Sequence, residues 1–284
     1  MDLVAQWLSD LRSTFNDEPR VANVRVGVFY TAVLLSSGEA GVAFTPRDLN
    51  DTVCCPKTAA AAPPAGRLIG APAWDVAQYA LAHGPLKRAV GIATLNALSN
   101  AAINRCGPAG GEFYDGVDAL DAAQVGPEDR VVMVGAFIPF IKALKGRVAG
   151  LAVVDKHRDA LKPDEQALWV APQQAQEVLS RASVVIMSGS TLVEGGADGL
   201  IDACPGARRR VMAGPTTPLW ARPFFRRGIS VLGGIRILDP RGILTIAGEG
   251  GSGYFFETVA AKVCIVDPSV TGLRCSGEQP VPTP

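Results

Sequence analysis

Leu3 and Trp7, and likewise Val4, Leu8, Leu11 and Phe15, recur at spacings of three and four, which predicts an amphipathic helix opening the chain. Residues 24–35 and 41–44 are rich in β-branched and aromatic side chains, and Ser36-Ser37-Gly38-Glu39 between them is turn material, so this stretch predicts a two-stranded hairpin. A Pro-, Ala- and Gly-laden loop follows from 45 to about 72. Helical patterns resume over 74–81 and again over 85–100, the latter with a small-residue face of Gly91, Ala93 and Ala97. Gly107-Pro108-Ala109-Gly110-Gly111 continues neither helix nor strand and marks a boundary.

Beyond it the pattern alternates. Residues 130–135 form a short unbroken apolar run, as expected of a strand covered on both faces. A helix over 138–145 follows, its start confined by Pro139 to the first turn. Then come strands over 150–155, 183–189 and 210–214, with helices over 171–180 and 192–203 between them. A late pair of apolar segments, 230–234 and 235–239, closes the series. Strand and helix in alternation predict a doubly wound, mostly parallel α/β sheet of Rossmann-like type. The expected organisation is an α+β domain over 1–110, a ligand-binding α/β domain over 111–266, and a Pro-rich tail over 267–284.

The composition fits such a chain. Of 284 residues 48% are hydrophobic, ample for a core, and Lys plus Arg balance Asp plus Glu at 27 each. No global field draws nucleic acid or an anionic membrane. The one basic run, Arg208-Arg209-Arg210, is read as a solvated helix end or loop. The chain's start lacks a basic leader and no apolar stretch reaches the ~18 residues of a membrane span, so a cytoplasmic protein is expected. The six cysteines, in no CxxC arrangement, are then expected as free thiols.

Candidate chemistry gathers at the predicted strand ends, where open α/β sheets bind ligands. The first strand ends at Gly135 and the second at Asp155, twenty positions on, where dinucleotide-binding folds carry a ribose-binding acid. The intervening turn lacks the glycines of that fold: Phe137 crowds the place of a pyrophosphate and Pro139 removes a backbone donor. Asp155 is read either as a ligand-binding acid or as a strand-end residue paired with Lys156 or Arg158. Ser188-Gly189-Ser190-Thr191 and Gly214-Pro215-Thr216-Thr217 set small hydroxyl residues and backbone N–H groups at two further strand ends; helix capping by Ser190 or Thr191 is the alternative. Glu249 leads into Gly250-Gly251-Ser252-Gly253, read either as a loop able to close over a ligand with Glu249 as base or ligand, or as an exposed turn. His157 is a second acid–base or ligand candidate, and His83 has no recognisable motif. Cys54-Cys55 offers two soft ligands for a transition metal ion, against incidental thiols.

Several of these segments together resemble the putative heavy-metal chelation family, long catalogued as a domain of unknown function. They are Val134-Gly135-Ala136-Phe137-Ile138-Pro139, the strand ending in Asp155, Ser188 to Val193, and Gly214-Pro215-Thr216-Thr217-Pro218-Leu219. In the first half, Gly27 to Thr45 and Gly91-Ile92-Ala93-Thr94-Leu95-Asn96-Ala97 also fit. The resemblance implies a first domain similar to the N-terminal domain of enolase, a Rossmann-like second domain, and a cleft between them that binds a metal or metal chelate. Asp155 departs from the Glu common in the family, which leaves the acidic role intact, and the Cys54-Cys55 loop is particular to this chain.

Two functions are carried forward. One is a protein that binds a metal or a metal-chelate small molecule in the cleft. The other is an enzyme acting on a nucleoside-containing or carboxylated molecule, for example an S-adenosylmethionine-like ligand, with Asp155 on a ribose and Glu249 or His157 as acid–base. The expected partner is a small molecule, neither nucleic acid nor membrane, with self-association left open.

Overall fold

Helix α1 (Leu3–Arg12) opens the computed structural model, which describes residues 2–47, 62–108 and 110–269. Asp2 caps it by accepting from the N–H groups of Val4 and Ala5 at 2.8 and 3.2 Å. Leu3, Val4, Trp7 and Leu11 are buried, as the spacing predicts.

The apolar run over 24–35 divides into two strands. β1 (Val21–Val26) and β2 (Tyr30–Leu35) turn on each other at Gly27, whose N–H donates to the carbonyl of Tyr30, and β3 (Ala40–Phe44) completes an antiparallel meander. A run of twelve β-formers is too long for one strand of a small sheet, and its glycine is where it folds back. Helix α2 (Ala73–Ala77) continues as a 3₁₀ turn, Gln78–Leu81, and leads into α3 (Pro85–Cys106). α3 is buried on nearly every side, and its small residues explain how. A Cβ on Gly41 of β3 would collide with the backbone of Ala93 and Ala97, so helix and sheet meet at backbone contact.

The remaining elements build an eight-stranded sheet. β4 (Glu112–Asp115) is followed by α4 (Ala119–Ala123), β5 (Arg130–Val134), α5 (Ile138–Leu144), β6 (Gly150–Val154) and the two-residue β7 (Trp169–Val170). Then come α6 (Ala175–Leu179), β8 (Val184–Ser188), α7 (Ser190–Glu194), α8 (Ala197–Asp202), β9 (Arg209–Ala213) and α9 (Arg222–Arg226). β10 (Val231–Ile237), α10 (Pro240–Gly248) and β11 (Ala260–Val266) end the described chain. The order is β4-β11-β10-β9-β8-β5-β6-β7. From β10 to β7 all neighbours are parallel, and β11 runs antiparallel between β10 and β4.

The unbroken apolar runs are explained by two covered faces. Val132, Val185, Met187 and Met212 pack with Leu192, Ile201 and Phe224, whereas Val131, Met133, Ile186 and Val211 face Ala122, Ile141 and Leu144. The first of these cores continues without a break into α1, α2 and α3: Trp7 is fully buried, donates to Ser99 Oγ at 3.1 Å and stacks edge-on against Phe224 at 5.7 Å. The small sheet is likewise shared, because Ala32 and Val42 pack against Ile243, Leu244 and Ala247 of α10.

Several expectations need correction. The helix over 171–180 is a 3₁₀ turn, Pro172–Gln174, plus the short α6; that over 192–203 breaks at Gly195, where φ is +81°. The late pair over 230–239 is the single strand β10. Of the arginine run only Arg208 lies in a loop, and Arg209 and Arg210 begin strand β9. Arg208 chelates the Asp129 carboxylate, Arg210 donates to the carbonyls of Cys204 and Pro205, and the run enters β9 at the sheet edge away from the candidate site. Of the tail, only residues up to 269 lie within the described chain.

Candidate functional site

Counted along the chain from β5, the six parallel strands stand in the order 3-2-1-4-5-6. The connections leave β5 and β8 in opposite directions, and at such a switch point the carboxyl ends of the strands leave a crevice. A cavity of about 1320 Å³ opens there.

Its floor is made by three turns. After β5, Gly135 takes φ +97° and its N–H donates to the Val154 carbonyl at 2.9 Å. Phe137 follows; its ring stacks on Phe140 with centroids 5.2 Å apart and borders the backbone of Gly135 and Gly214, covering the ends of β5 and β9 with an apolar surface. After β8, the Ser188 hydroxyl accepts from the N–H and the hydroxyl of Ser190 at 3.2 and 2.9 Å, and Thr191 donates to the Ser188 carbonyl at 2.7 Å. The residue before α7 is Gly189, and neither Ser190 nor Thr191 caps the helix. After β9, Gly214 to Thr217 form a turn closed by the Thr217 N–H on the Gly214 carbonyl at 2.9 Å. Gly189 lets the last two turns touch: a Cβ there would sit 2.6 Å from the Thr217 nitrogen.

Asp155 ties the first turn to the second strand. The Ala136 N–H donates to its Oδ2 at 3.0 Å and the His157 N–H to its Oδ1 at 2.9 Å. Its partners are therefore backbone amides, and neither Lys156, which pairs with Glu194 at 3.0 Å, nor Arg158.

The opposite wall comes from the small sheet and the start of α3. Phe29, Tyr30, Phe44 and Arg47 line it, together with His83 and Arg88. It is joined to the floor where the Phe44 N–H donates to Thr216 Oγ1 at 2.9 Å and where Asn96 Nδ2 donates to the carbonyls of Val42 and Thr216. Burial pushes the Tyr30 phenol up to about 12, so it is a proton-bearing donor at neutral pH. Ser252, Gly253, Tyr254 and Glu257 close one side, with Tyr254 74% exposed at the rim.

Gly135, Phe137, Asp155 and His157 all line the cavity, as do Ser188, Ser190, Thr191, Gly214, Pro215 and Thr216. Gly189 lies beneath it as a spacer. The Thr217 hydroxyl is buried away from it, without a hydrogen-bond partner among the described residues. Glu249 is exposed at the end of α10 and outside the lining; the carboxylate that the same loop delivers to the cavity is Glu257. Cys54 and Cys55 lie outside the described residues. Tyr30 and Arg47 were not legible as site residues, because no motif marks a hairpin end that becomes a wall only through tertiary packing, and Arg88 in the first turn of α3 carries no motif either.

Among the described residues no three His, Cys, Asp or Glu side chains gather to hold a metal ion. Cys106, Cys204 and Cys264 are dispersed, each thiol donating to a backbone carbonyl. Burial pushes the Cys204 thiol up, away from the thiolate form. Among the described residues no helix is long and apolar enough to cross a membrane.

Two sequence families, each described as putative heavy-metal chelation, match the chain: DUF364 over residues 118–266, more than half its length, and DUF4213 over residues 9–99. A DUF364-family protein of unknown function from Pyrococcus horikoshii shares the fold with a TM-score of 0.72 and 18% identity, over 93% of this chain and 99% of that one. Another, from Desulfitobacterium hafniense, does so with a TM-score of 0.72 and 16% identity, over 93% and 98%. No curated protein matches the chain.

Proposed function

The chain belongs to the DUF364 family of putative heavy-metal chelation, and from that premise we propose that it binds a metal ion already held by a small organic chelator, in the cavity at the switch point of the large sheet. One observation carries the reading: a cavity of about 1320 Å³ with an apolar floor of Phe137 and Phe140 and a few hydroxyl, imidazole and carboxylate groups on its walls. A bare ion needs three or four protein ligands at ~2.0 to 2.3 Å, whereas a chelate brings its own and asks the protein for a shaped, partly apolar pocket with a few polar contacts.

The residues supply that pocket. Phe137 and Phe140 offer an apolar floor, the Ser188–Ser190 and Gly214–Thr216 turns offer hydroxyls and backbone groups, and His83, His157 and Glu257 on the walls can fill one or two open positions of the metal. In this reading residues 1–110 act as the enolase-like domain, residues 111–266 as the Rossmann-like domain, and the cavity is the cleft between them.

Calorimetric titration of the full chain with Ni(II), with citrate and with the Ni(II)–citrate complex tests the proposal. The complex is expected to bind at least tenfold more tightly than the ion, and His157→Ala to weaken it. Equal binding of ion and complex, abolished by Cys54→Ser with Cys55→Ser, would place the metal on the protein's own thiols and overturn the reading.

A further inference from the structure

We infer that Tyr30 and Arg47 read a carboxylate of the bound organic molecule, so that the cavity selects carboxylate-bearing ligands over phosphorylated ones. The inference rests on the chelate reading and names the class of chelator.

Both residues stand on the wall facing the strand ends. Tyr30 begins β2 opposite Phe44, the last residue of β3, and Arg47 lies three residues further on. The Tyr30 ring is held against Phe256 with centroids 5.0 Å apart, and its hydroxyl has no hydrogen-bond partner among the described residues. Gly253 faces that hydroxyl: a Cβ there would come within 3.3 Å of it, so the absence of a side chain keeps the approach open. The phenol keeps its proton far above neutrality, which suits a donor to an acceptor oxygen and disfavours a phenolate metal ligand.

Arg47 is the complementary charge. Its guanidinium lies over the Phe29 ring at 4.9 Å and has no carboxylate partner among the described residues. Of the other cations of the cavity, Lys156 pairs with Glu194 at 3.0 Å and Lys262 with Asp118 at 3.0 Å, while the Arg88 guanidinium is tied down by the carbonyls of Ala82 and Val193 at 3.0 and 3.4 Å. The Arg47 guanidinium, without a carboxylate partner among the described residues, and the neutral Tyr30 O–H donor match a single negative charge spread over two oxygens.

A phosphate asks for more. Its three terminal oxygens crowd around one centre and are usually met by several backbone amides or by more than one cation, whereas each carboxylate of a polycarboxylate presents two oxygens in one plane. The turn where a doubly wound sheet would supply those amides is closed to it. The Asp155 carboxylate occupies the Ala136 N–H, Pro139 has none, and Phe137 covers the approach.

Calorimetric titration of the full chain with citrate, Ni(II)–citrate and inorganic phosphate at fixed ionic strength decides the matter, with Tyr30→Phe and Arg47→Gln checked for wild-type melting. Citrate should bind with or without metal, and phosphate at least tenfold more weakly. Y30F should weaken citrate about five- to tenfold. R47Q should weaken it by a similar factor and flatten its salt dependence, an effect a purely structural role would not produce. The inference falls if citrate fails to bind, if phosphate binds as well as citrate, or if both variants bind citrate as the wild type does. The outcomes separate the two claims. If Ni(II)–citrate binds wild type and variants alike, carboxylate reading by this pair fails and the chelate proposal stands. If citrate binds through the pair but Ni(II) adds nothing, the reverse holds.

Discussion

Replacing Asp155 by alanine separates a structural clamp from a ligand contact. The carboxylate accepts two backbone N–H bonds at 3.0 and 2.9 Å, one from the turn after β5 and one from the turn after β6. Hydrogen bonds to a charged group contribute ~1.5 to 3 kcal/mol each when buried. Asp155 is only half-buried at a strand end, so the lower end of that range applies and the pair contributes about 2 to 3 kcal/mol. Asp155→Ala should therefore lower Tm by about 5 °C in a chain of this length, measured by calorimetry without ligand. Asp155→Asn keeps one acceptor oxygen and should lose about half as much. The Trp169 Nε1–H bond to the Asp155 carbonyl, at 2.9 Å, survives both changes and limits the damage to the two turns. A D155A protein that melts with the wild type but has lost all binding would refute the clamp and restore Asp155 as a ligand acid.

Other perturbations follow from packing and charge. Gly189→Ala drives a methyl onto the Thr217 backbone and should cost about 1 to 3 kcal/mol in urea unfolding, while weakening ligand binding through the displaced β9 turn. Trp7→Ala empties a fully buried site between α1, α3 and α9 and should cost about 3 to 5 kcal/mol by the same assay. Burial opposes ionisation of Asp129, but hydrogen bonds from Arg208, the Gly126 N–H and Ser183 overcome it and hold the group below the ordinary carboxylate range. A depressed folded-state pKa gives stability that is complete above the unfolded value and is lost as pH falls through the folded one. The stability gap between wild type and Asp129→Asn should accordingly be largest near neutrality and close on acidification below pH ~4, followed by urea melts across that range.

The large sheet was legible because its strands are short apolar runs buried on two faces, and 130–135, 150–155, 183–189 and 210–214 coincide with β5, β6, β8 and β9 within a residue. Its flanks were not. β4 and β7 are edge strands of four and two residues, and α4 and α9 are five-residue helices, all too short for periodicity to register. α10 and β11 flank the glycine loop, whose turn residues interrupt the apolar periodicity on both sides. The floor of the site could be read from sequence because a doubly wound sheet fixes which strand ends face a ligand. The wall could not, since Tyr30 and Arg47 reach the cavity only because α10 and α3 clasp the small sheet on both faces and the Asn96 and Thr216 bonds lock it to the β9 turn. Glu249 and Glu257 illustrate the same limit: helix α10 sends the first outward and the 3₁₀ turn Gly253–Thr258 brings the second to the cavity.

Anomalous diffraction at the nickel edge from crystals grown with Ni(II)–citrate tests the central claim most directly. The account predicts one strong peak inside the cavity above Phe137, with the organic ligand supplying most of the coordination sphere and at most two protein side chains, drawn from His83, His157 and Glu257, completing it. A peak held by three or more protein side chains, or one lying outside the cavity, would contradict it.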